Sequence, residues 1–126
     1  MSDFEGLDIW KIRREICMDV WNIIENTTLN KDYSLRNQMN SSSGSIMDNI
    51  AEGFERNGNR ELIQFLSIAK ASCGELRSQL YRCLDRNHIT KDRFDDIYSK
   101  TVTEGKKIGA FMAYLKKSDR KGAKYD

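Results

Sequence analysis

The strongest constraint on the fold is a run of small and apolar residues at helical spacing between residues 59 and 87. Its inward positions are separated by steps of three or four residues: Leu62, Phe65, Ala69, Cys73, Leu76, Leu80 and Cys83. This spacing places them along one face of a helix, where they form a seam that packs against other helices. The chain of 126 residues contains no proline, which favours long helices with short connections. The sequence therefore predicts an all-α protein.

Three further segments show helical periodicity. The first runs from Leu7 or Asp8 to Glu25, the second begins after Asp32 or Ser34 and breaks near Gly53, and the fourth runs from Lys91 to about Lys117. Thr90 is a good N-cap for the fourth helix, and Ile89 and Phe94 have the spacing of a hydrophobic staple. Short connections between four long helices predict an antiparallel up-down-up-down four-helix bundle spanning residues 1–117. Residues 118–126 are predicted to be a flexible basic tail.

The second helix carries a polar motif, consisting of Ser45, Asn49, Glu52 and Arg56 at steps of four, three and four residues. These side chains are predicted to line one edge of the helix, beside an inward seam that runs through Ile46 and ends at Asn49. A buried amide needs hydrogen-bond partners. Glu52 precedes Arg56 by four residues, the favoured orientation for a helical ion pair. We interpret the motif as a structural network between helices or subunits, with a small polar active site as the alternative.

Catalysis and metal binding find little support in the sequence. No nucleophile–base pair accompanies the polar motif around Glu52. His88 is the sole histidine, and we expect it to be structural or solvent-exposed. The three cysteines lack metal-ligand spacing, and no glycine-rich phosphate loop is present. We therefore expect a protein that is not an enzyme and binds no cofactor or metal.

Three features suggest partners for this protein. Trp10 and Trp21 widen the apolar stripe of the first helix beyond what one core needs, which suggests a contact between subunits. Basic residues are concentrated near the C-terminus, where the candidates for contact with RNA or DNA phosphates are Lys116, Lys117, Arg120, Lys121 and Lys124. The fourth helix also carries a row of small residues, Gly105, Gly109 and Ala113, where another backbone can come close.

The expected location is the cytoplasm. The odd number of cysteines suits a reducing compartment, and Cys73 and Cys83 lie too far apart on one helix to form a disulfide. The N-terminal residues lack the basic and apolar regions of a signal peptide, and no stretch has the length and hydrophobicity of a membrane span. We therefore expect no membrane association.

Several motifs together resemble the bacterial four-helix bundle protein family, first noticed as reading frames within intervening sequences of 23S ribosomal RNA genes. The resemblance reaches from Phe4 to about Leu115 and is carried by residues 4–11, 35–38, 49–53 and 61–69, together with Ser45, Ile46, Arg56, Ser72, Glu75 and Leu76. The most specific part is the Asn-Ile-Ala-Glu-Gly run at 49–53 with the downstream Phe-Leu-x-x-Ala at 65–69.

The resemblance implies a left-handed bundle that assembles into a ring of five subunits. It also implies a distant similarity to accessory proteins of diversity-generating retroelements, which partner a reverse transcriptase and bind nucleic acid. The chain departs from the family pattern after Gln38, because Asn40 and Ser41 stand where members usually carry two arginines, and Met47 replaces a usual proline. The leading hypothesis is a homo-oligomeric scaffold associated with RNA. The alternative is an interaction adaptor, or an accessory subunit for a protein partner such as a polymerase.

Overall fold

The computed structural model describes residues 3–121, with side chains described for residues 8–118. Four long helices make up almost all of this part of the chain: α1 (Asp3–Asn26), α2 (Tyr33–Glu55), α3 (Asn59–Asp85) and α4 (Lys91–Lys121). A 3-10 helix (Thr28–Lys31) lies in the connection between α1 and α2. The all-α prediction is confirmed. α1 begins earlier than the periodicity indicated, and α4 continues through the first four residues of the predicted tail.

The helices form a bundle in which α1 contacts α2 and α4, and α3 contacts α2 and α4. Side-chain contacts show that neighbouring helices run in opposite directions, because residue numbers fall along one helix as they rise along its neighbour. The contacts are Arg13–Met47 and Cys17–Ser43 between α1 and α2, and Gln38–Arg82 and Ser45–Ser72 between α2 and α3. They are Arg77–Thr101 and Lys70–Gly109 between α3 and α4, and Asp8–Lys107 and Asp19–Lys100 between α1 and α4. The up-down-up-down arrangement is therefore present. The left-handed twist and the ring remain predictions.

The helix ends follow from local capping. Thr90 caps α4, as predicted, by accepting a hydrogen bond from the backbone N–H of Arg93 at 3.2 Å. α3 ends in a Schellman motif, in which Asn87 adopts a left-handed φ of 60°. The N–H of His88 donates to Cys83 at 3.0 Å, and that of Asn87 donates to Leu84 at 2.9 Å. This turn fixes the direction in which the connection to α4 leaves the helix.

The core is mostly aliphatic and differs in register from the sequence prediction at two places. Its most buried apolar members include Ile16, Val20, Leu35, Met39, Ile46, Ile50, Leu66, Leu76, Leu80, Ile97, Ile108 and Phe111. Ile50, and not Asn49, occupies the inward position after Ile46, while Asn49 is half-buried. Likewise Leu66 is fully buried and Phe65 is half-buried beside Gly53. Of two adjacent residues on a helix, only one can point fully into the core. The helix rotation that buries more apolar surface overall is the more stable one.

The interior also holds two ionisable side chains, and the spacing of apolar residues did not predict their burial. Glu104 is fully buried, and neither carboxylate oxygen has a hydrogen-bond partner among the described residues. Arg13 is 2% exposed, donates from Nη1 to the Met47 carbonyl at 2.6 Å and stacks on Trp10 with 3.1 Å between guanidinium carbon and ring centroid. Burial raises the pKa of Glu104 to about 8, although the charges of Arg13 and Lys107 oppose the shift.

We expect the stability of the folded protein to depend on pH through Glu104. The folded carboxyl keeps its proton up to a pKa of about 8, whereas the ordinary pKa is 4.5, so the free energy of unfolding falls as pH rises between these values. The loss approaches about 1.4 kcal/mol for each pH unit. Glu104→Gln keeps the shape of the side chain without its charge. Urea unfolding should show that the free energy of unfolding of this variant, relative to wild type, increases as pH rises. Parallel stability–pH curves for the two proteins would contradict this assignment.

Two glycines of α2 provide a matched test of helix packing. A Cβ at Gly53 would lie 2.9 Å from Leu62 Cδ1 and 3.1 Å from Phe65 Cβ, whereas one at Gly44 meets nothing within 4 Å. We expect Gly44→Ala to stabilise by about 0.5–1 kcal/mol through helix propensity. Gly53→Ala should destabilise by about 1 kcal/mol or more, because α2 and α3 must separate slightly. Denaturant unfolding of both variants checks the difference, and equal stabilisation by both would show that the close approach is not tight.

Candidate functional site

A groove on the surface between α3 and α4 brings positive charge and small residues together. It encloses about 580 Å³ and is lined by Ser67, Lys70, Ala71, Gly74, Arg77, Val102, Gly105 and Lys106. Three of these residues are cationic, and none is acidic. The small residues leave room for the long side chains of Arg77 and Lys70 to lie along the groove. The groove therefore combines accessible shape with one sign of charge.

The glycines of α4 explain how the cations of α3 reach this groove. A Cβ at Gly105 would lie 3.5 Å from Arg77 Nη1, and one at Gly109 would lie 3.2 Å from Lys70 Cε. The guanidinium of Arg77 and the stem of Lys70 thus lie over Gly105 and Gly109, two of the three small residues in the row identified in the sequence.

Arg77 is the best-oriented cation of the groove. Its Nη1 donates to the main-chain carbonyl of Thr101 at 3.2 Å, which ties the guanidinium to α4. Arg77 is half-buried, whereas Lys70 and Lys106 are exposed. A guanidinium held by one nitrogen still offers further N–H groups to a ligand. Phosphate and carboxylate oxygens are its natural acceptors.

The polar motif at residues 45–56 divides into two unconnected parts. Asn49 Nδ2 donates to the main-chain carbonyl and hydroxyl of Ser45 at 2.8 and 3.0 Å, and the Ser72 hydroxyl bonds that of Ser45 at 2.8 Å. This part joins α2 to α3. Glu52 and Arg56 form an exposed ion pair at 2.6 Å, and Glu61 lies 3.8 Å from the arginine. Among the described contacts, neither part pairs a nucleophile with a general base.

The structure describes the side chains of only some of the basic residues that were predicted to contact nucleic acid. Lys116 and Lys117 are exposed on α4, well beyond the groove along the same helix. Arg120 and Lys121 lie on the last turn, and their side chains are outside the described residues. Lys124 lies outside the described residues entirely.

A polar cluster at one end of the bundle was missed by the sequence reasoning. His88 Nε2 lies 2.9 Å from Asp32 Oδ2, His88 Nδ1 lies 2.7 Å from Thr28 Oγ1, and Arg86 Nη1 donates to Asp32 at 2.9 Å. The hydrogen bonds from His88 and then Arg86 lower the pKa of Asp32 to about 2. The single sequence hint was that Asp32 and His88 flank helix ends. Among side chains that the structure describes, no group of three potential ligands for a metal ion is found.

The outer face of α1 exposes large apolar side chains. Trp10, Met18 and Trp21 are 43%, 61% and 54% exposed. Met18 and Trp21 border a shallow depression of about 480 Å³ that reaches Met47 on α2. Exposed aromatic and methionine side chains in one place are typical of interaction surfaces.

Within the described residues, none of the helices has both the length and the hydrophobicity of a membrane span.

Comparison with known proteins places this bundle among relatives of unknown function. A crystal structure of a protein with unknown function from the S23 ribosomal protein family of Bacteroides thetaiotaomicron has a TM-score of 0.75 and 18% sequence identity. The match covers 82% of this chain and 97% of the other, and at this identity it shows the shared fold alone. Among curated proteins none is significantly similar. The sequence pattern of the 23S rRNA-intervening sequence proteins matches residues 5–110, and the chain therefore belongs to that family.

Proposed function

We propose that this protein is a homo-oligomeric helical scaffold that binds the phosphate backbone of RNA in the groove between α3 and α4. The observation that supports it is the clustering of Lys70, Arg77 and Lys106 around one groove without a lining carboxylate. Phosphate contacts from lysine and arginine supply most of the affinity of non-specific nucleic-acid binding. A scaffold of this kind needs no catalytic chemistry. The family name, which refers to 23S ribosomal RNA, makes structured RNA the first ligand to test.

Arg77 and the two lysines have different parts in the proposed contact. The guanidinium is positioned by the Thr101 carbonyl, so it loses little freedom when it receives a phosphate. The lysines are point charges on flexible stems and follow a ligand of variable shape. Lys106 and Lys117 are eleven residues apart, or about 16 Å along α4 and nearly on the same face. The basic groove and the predicted C-terminal contacts therefore form one extended surface in this proposal.

Replacing the three groove cations should weaken RNA binding and reduce its salt dependence. For the triple variant Lys70→Gln, Arg77→Gln and Lys106→Gln, the magnitude of the slope of log K against log salt should fall by about 2 for single-stranded and about 3 for double-stranded parts of a structured RNA, because three phosphate contacts are lost. Fluorescence anisotropy across a salt series measures both quantities.

The matched control carries the same loss of charge elsewhere, as Lys11→Gln, Lys31→Gln and Lys91→Gln at exposed positions. It should retain most of the affinity. An equal loss in both triple variants would indicate diffuse attraction with no role for the groove. Absence of wild-type binding at about 50 mM salt would reject RNA binding, because the electrostatic attraction is strongest at low salt.

Self-association is proposed to use the outer face of α1, with a second copy of the chain as its partner. Trp10, Met18 and Trp21 are exposed together on this face, whereas Ile9, Ile16 and Val20 of the same helix are packed in the core. Buried tryptophan and methionine are common at the centres of protein interfaces. The ring of five subunits implied by the family resemblance is the expected assembly. A cytoplasmic location suits the three free cysteines.

The double variant Met18→Gln and Trp21→Gln should dissociate the assembly into monomers without unfolding it, because both side chains are largely exposed in the single chain. Multi-angle light scattering gives the mass of each species. Ile68→Gln, at a position 47% exposed on α3, is the control and should leave the assembly intact. A monomeric wild type would contradict self-association and favour the alternative role as an adaptor for another protein.

A further inference from the structure

We propose that the end of the bundle formed by Thr28, His88 and Asp32 is an acyl-transfer site that hydrolyses small carboxylic esters. This inference is independent of RNA binding and of self-association. It rests on a hydroxyl, an imidazole and a carboxylate joined in series by contacts of 2.7 and 2.9 Å. A nucleophile within hydrogen-bond reach of a base, with the base oriented by a third group, is the arrangement used for covalent acyl transfer.

The partners of the ring fix its protonation pattern. Asp32, with its pKa lowered to about 2, is an anion throughout the physiological range, so its Oδ2 accepts a hydrogen bond from the Nε2–H group of His88. In the neutral ring Nδ1 is then the unprotonated nitrogen. The Thr28 hydroxyl therefore donates to Nδ1, which is the hydrogen bond that a general base needs before it removes the proton.

Local backbone structure holds the three groups in place. Asp32 caps α2 through its other oxygen, which accepts from the Leu35 N–H at 3.5 Å. His88 is the residue that closes the Schellman turn after α3, through its N–H bond to Cys83. The imidazole is only 12% exposed, so its ring is held between the two connections. Thr28 is exposed at the start of the 3-10 helix.

An open cavity of about 510 Å³ lies beside the Thr28–His88 pair. Its lining includes Lys31 and the side chains of Asn26, Asn30 and Asn87. Ammonium and amide N–H groups stabilise the negative charge that develops on a carbonyl oxygen during acyl transfer. The cavity is open to solvent and has room for a small ester beside Thr28.

The chemistry follows in two balanced stages. Thr28 Oγ1 attacks the ester carbonyl carbon as His88 Nδ1 takes the hydroxyl proton, and that proton passes to the departing alcohol oxygen. The product of this stage is an acyl ester on Thr28. Water then attacks the acyl carbon, His88 takes a proton from the water and returns it to Thr28 Oγ1, and the carboxylic acid leaves. Ester and water are consumed, and acid and alcohol are formed.

A purely structural role, in which these residues only link the α1–α2 connection to the α3–α4 connection, explains only part of this arrangement. Arg86 and Asp32 already join the two connections by an ion pair at 2.9 Å. The 3-10 helix is capped by Thr27, which accepts the Leu29 N–H, so Thr28 is not needed as its cap. The Thr28–His88 contact is therefore additional to both, and it faces the cavity.

The test is acetylation of the full-length protein by p-nitrophenyl acetate. Wild type should release p-nitrophenol and carry an acetyl ester on the peptide that contains Thr28, identified by mass spectrometry. Thr28→Val removes the hydroxyl at equal size and should abolish this ester, whereas Thr28→Ser should retain it. His88→Gln should slow acetylation at residue 28 by at least about 100-fold, because general-base assistance is lost. Asp32→Asn, a positioning change, should lower the maximal rate and leave the half-saturating ester concentration unchanged.

Thermal unfolding of each variant separates catalysis from folding. Lysine acetylation serves as an internal measure of reagent exposure and should be the same in all variants. If wild type forms no ester on Thr28 and releases p-nitrophenol no faster than Thr28→Val, or if His88→Gln acetylates residue 28 as fast as wild type, the proposal is overturned. In that case the cluster only links the two connections, and the same variants would unfold at a lower temperature because that link is weakened.

Discussion

The close packing of α2 against α3 is the constraint on which the rest of the structure depends. Gly53 lets the side chains of Leu62 and Phe65 approach the α2 backbone, and the hydroxyls of Ser45 and Ser72 meet at 2.8 Å. With α2 fixed on one side of α3, the opposite side is available to α4, and the groove forms along that second contact. The serine-rich, glycine-containing middle of α2 is unfavourable for an isolated helix, so tertiary packing must stabilise it.

Helix identity was predictable because it depends on local chemistry, whereas core register was less so. The spacing of apolar residues and the Thr90 cap located α3 and the start of α4 without any knowledge of neighbours. Asn49 and Glu104 show where this reasoning failed. A one-residue rotation decides whether Asn49 or Ile50 faces inward, and periodicity assigns a carboxylate such as Glu104 to solvent. Both outcomes depend on what the other helices contribute at that level of the bundle.

The candidate sites show the same limit at longer range. Lys70 and Arg77 lie on α3, and their grouping with Lys106 depends on the register between α3 and α4. Thr28 and His88 are 60 residues apart and meet because two connections lie at the same end of the bundle. No short motif encodes either arrangement. Sequence reasoning on a helical bundle identifies the surfaces, and the antiparallel topology decides which of them combine.

The buried carboxyl of Glu104 also affects the energetics of folding as it is measured. Because the folded protein keeps a proton that the unfolded chain has released at neutral pH, folding takes up a proton from the solution. A calorimeter therefore records the heat of buffer ionisation together with the heat of folding. Unfolding enthalpies in two buffers of the same pH will differ by the difference in their ionisation enthalpies, multiplied by the number of protons released. In this bundle one side chain without a hydrogen-bond partner makes the solvent's acid–base chemistry part of the folding reaction.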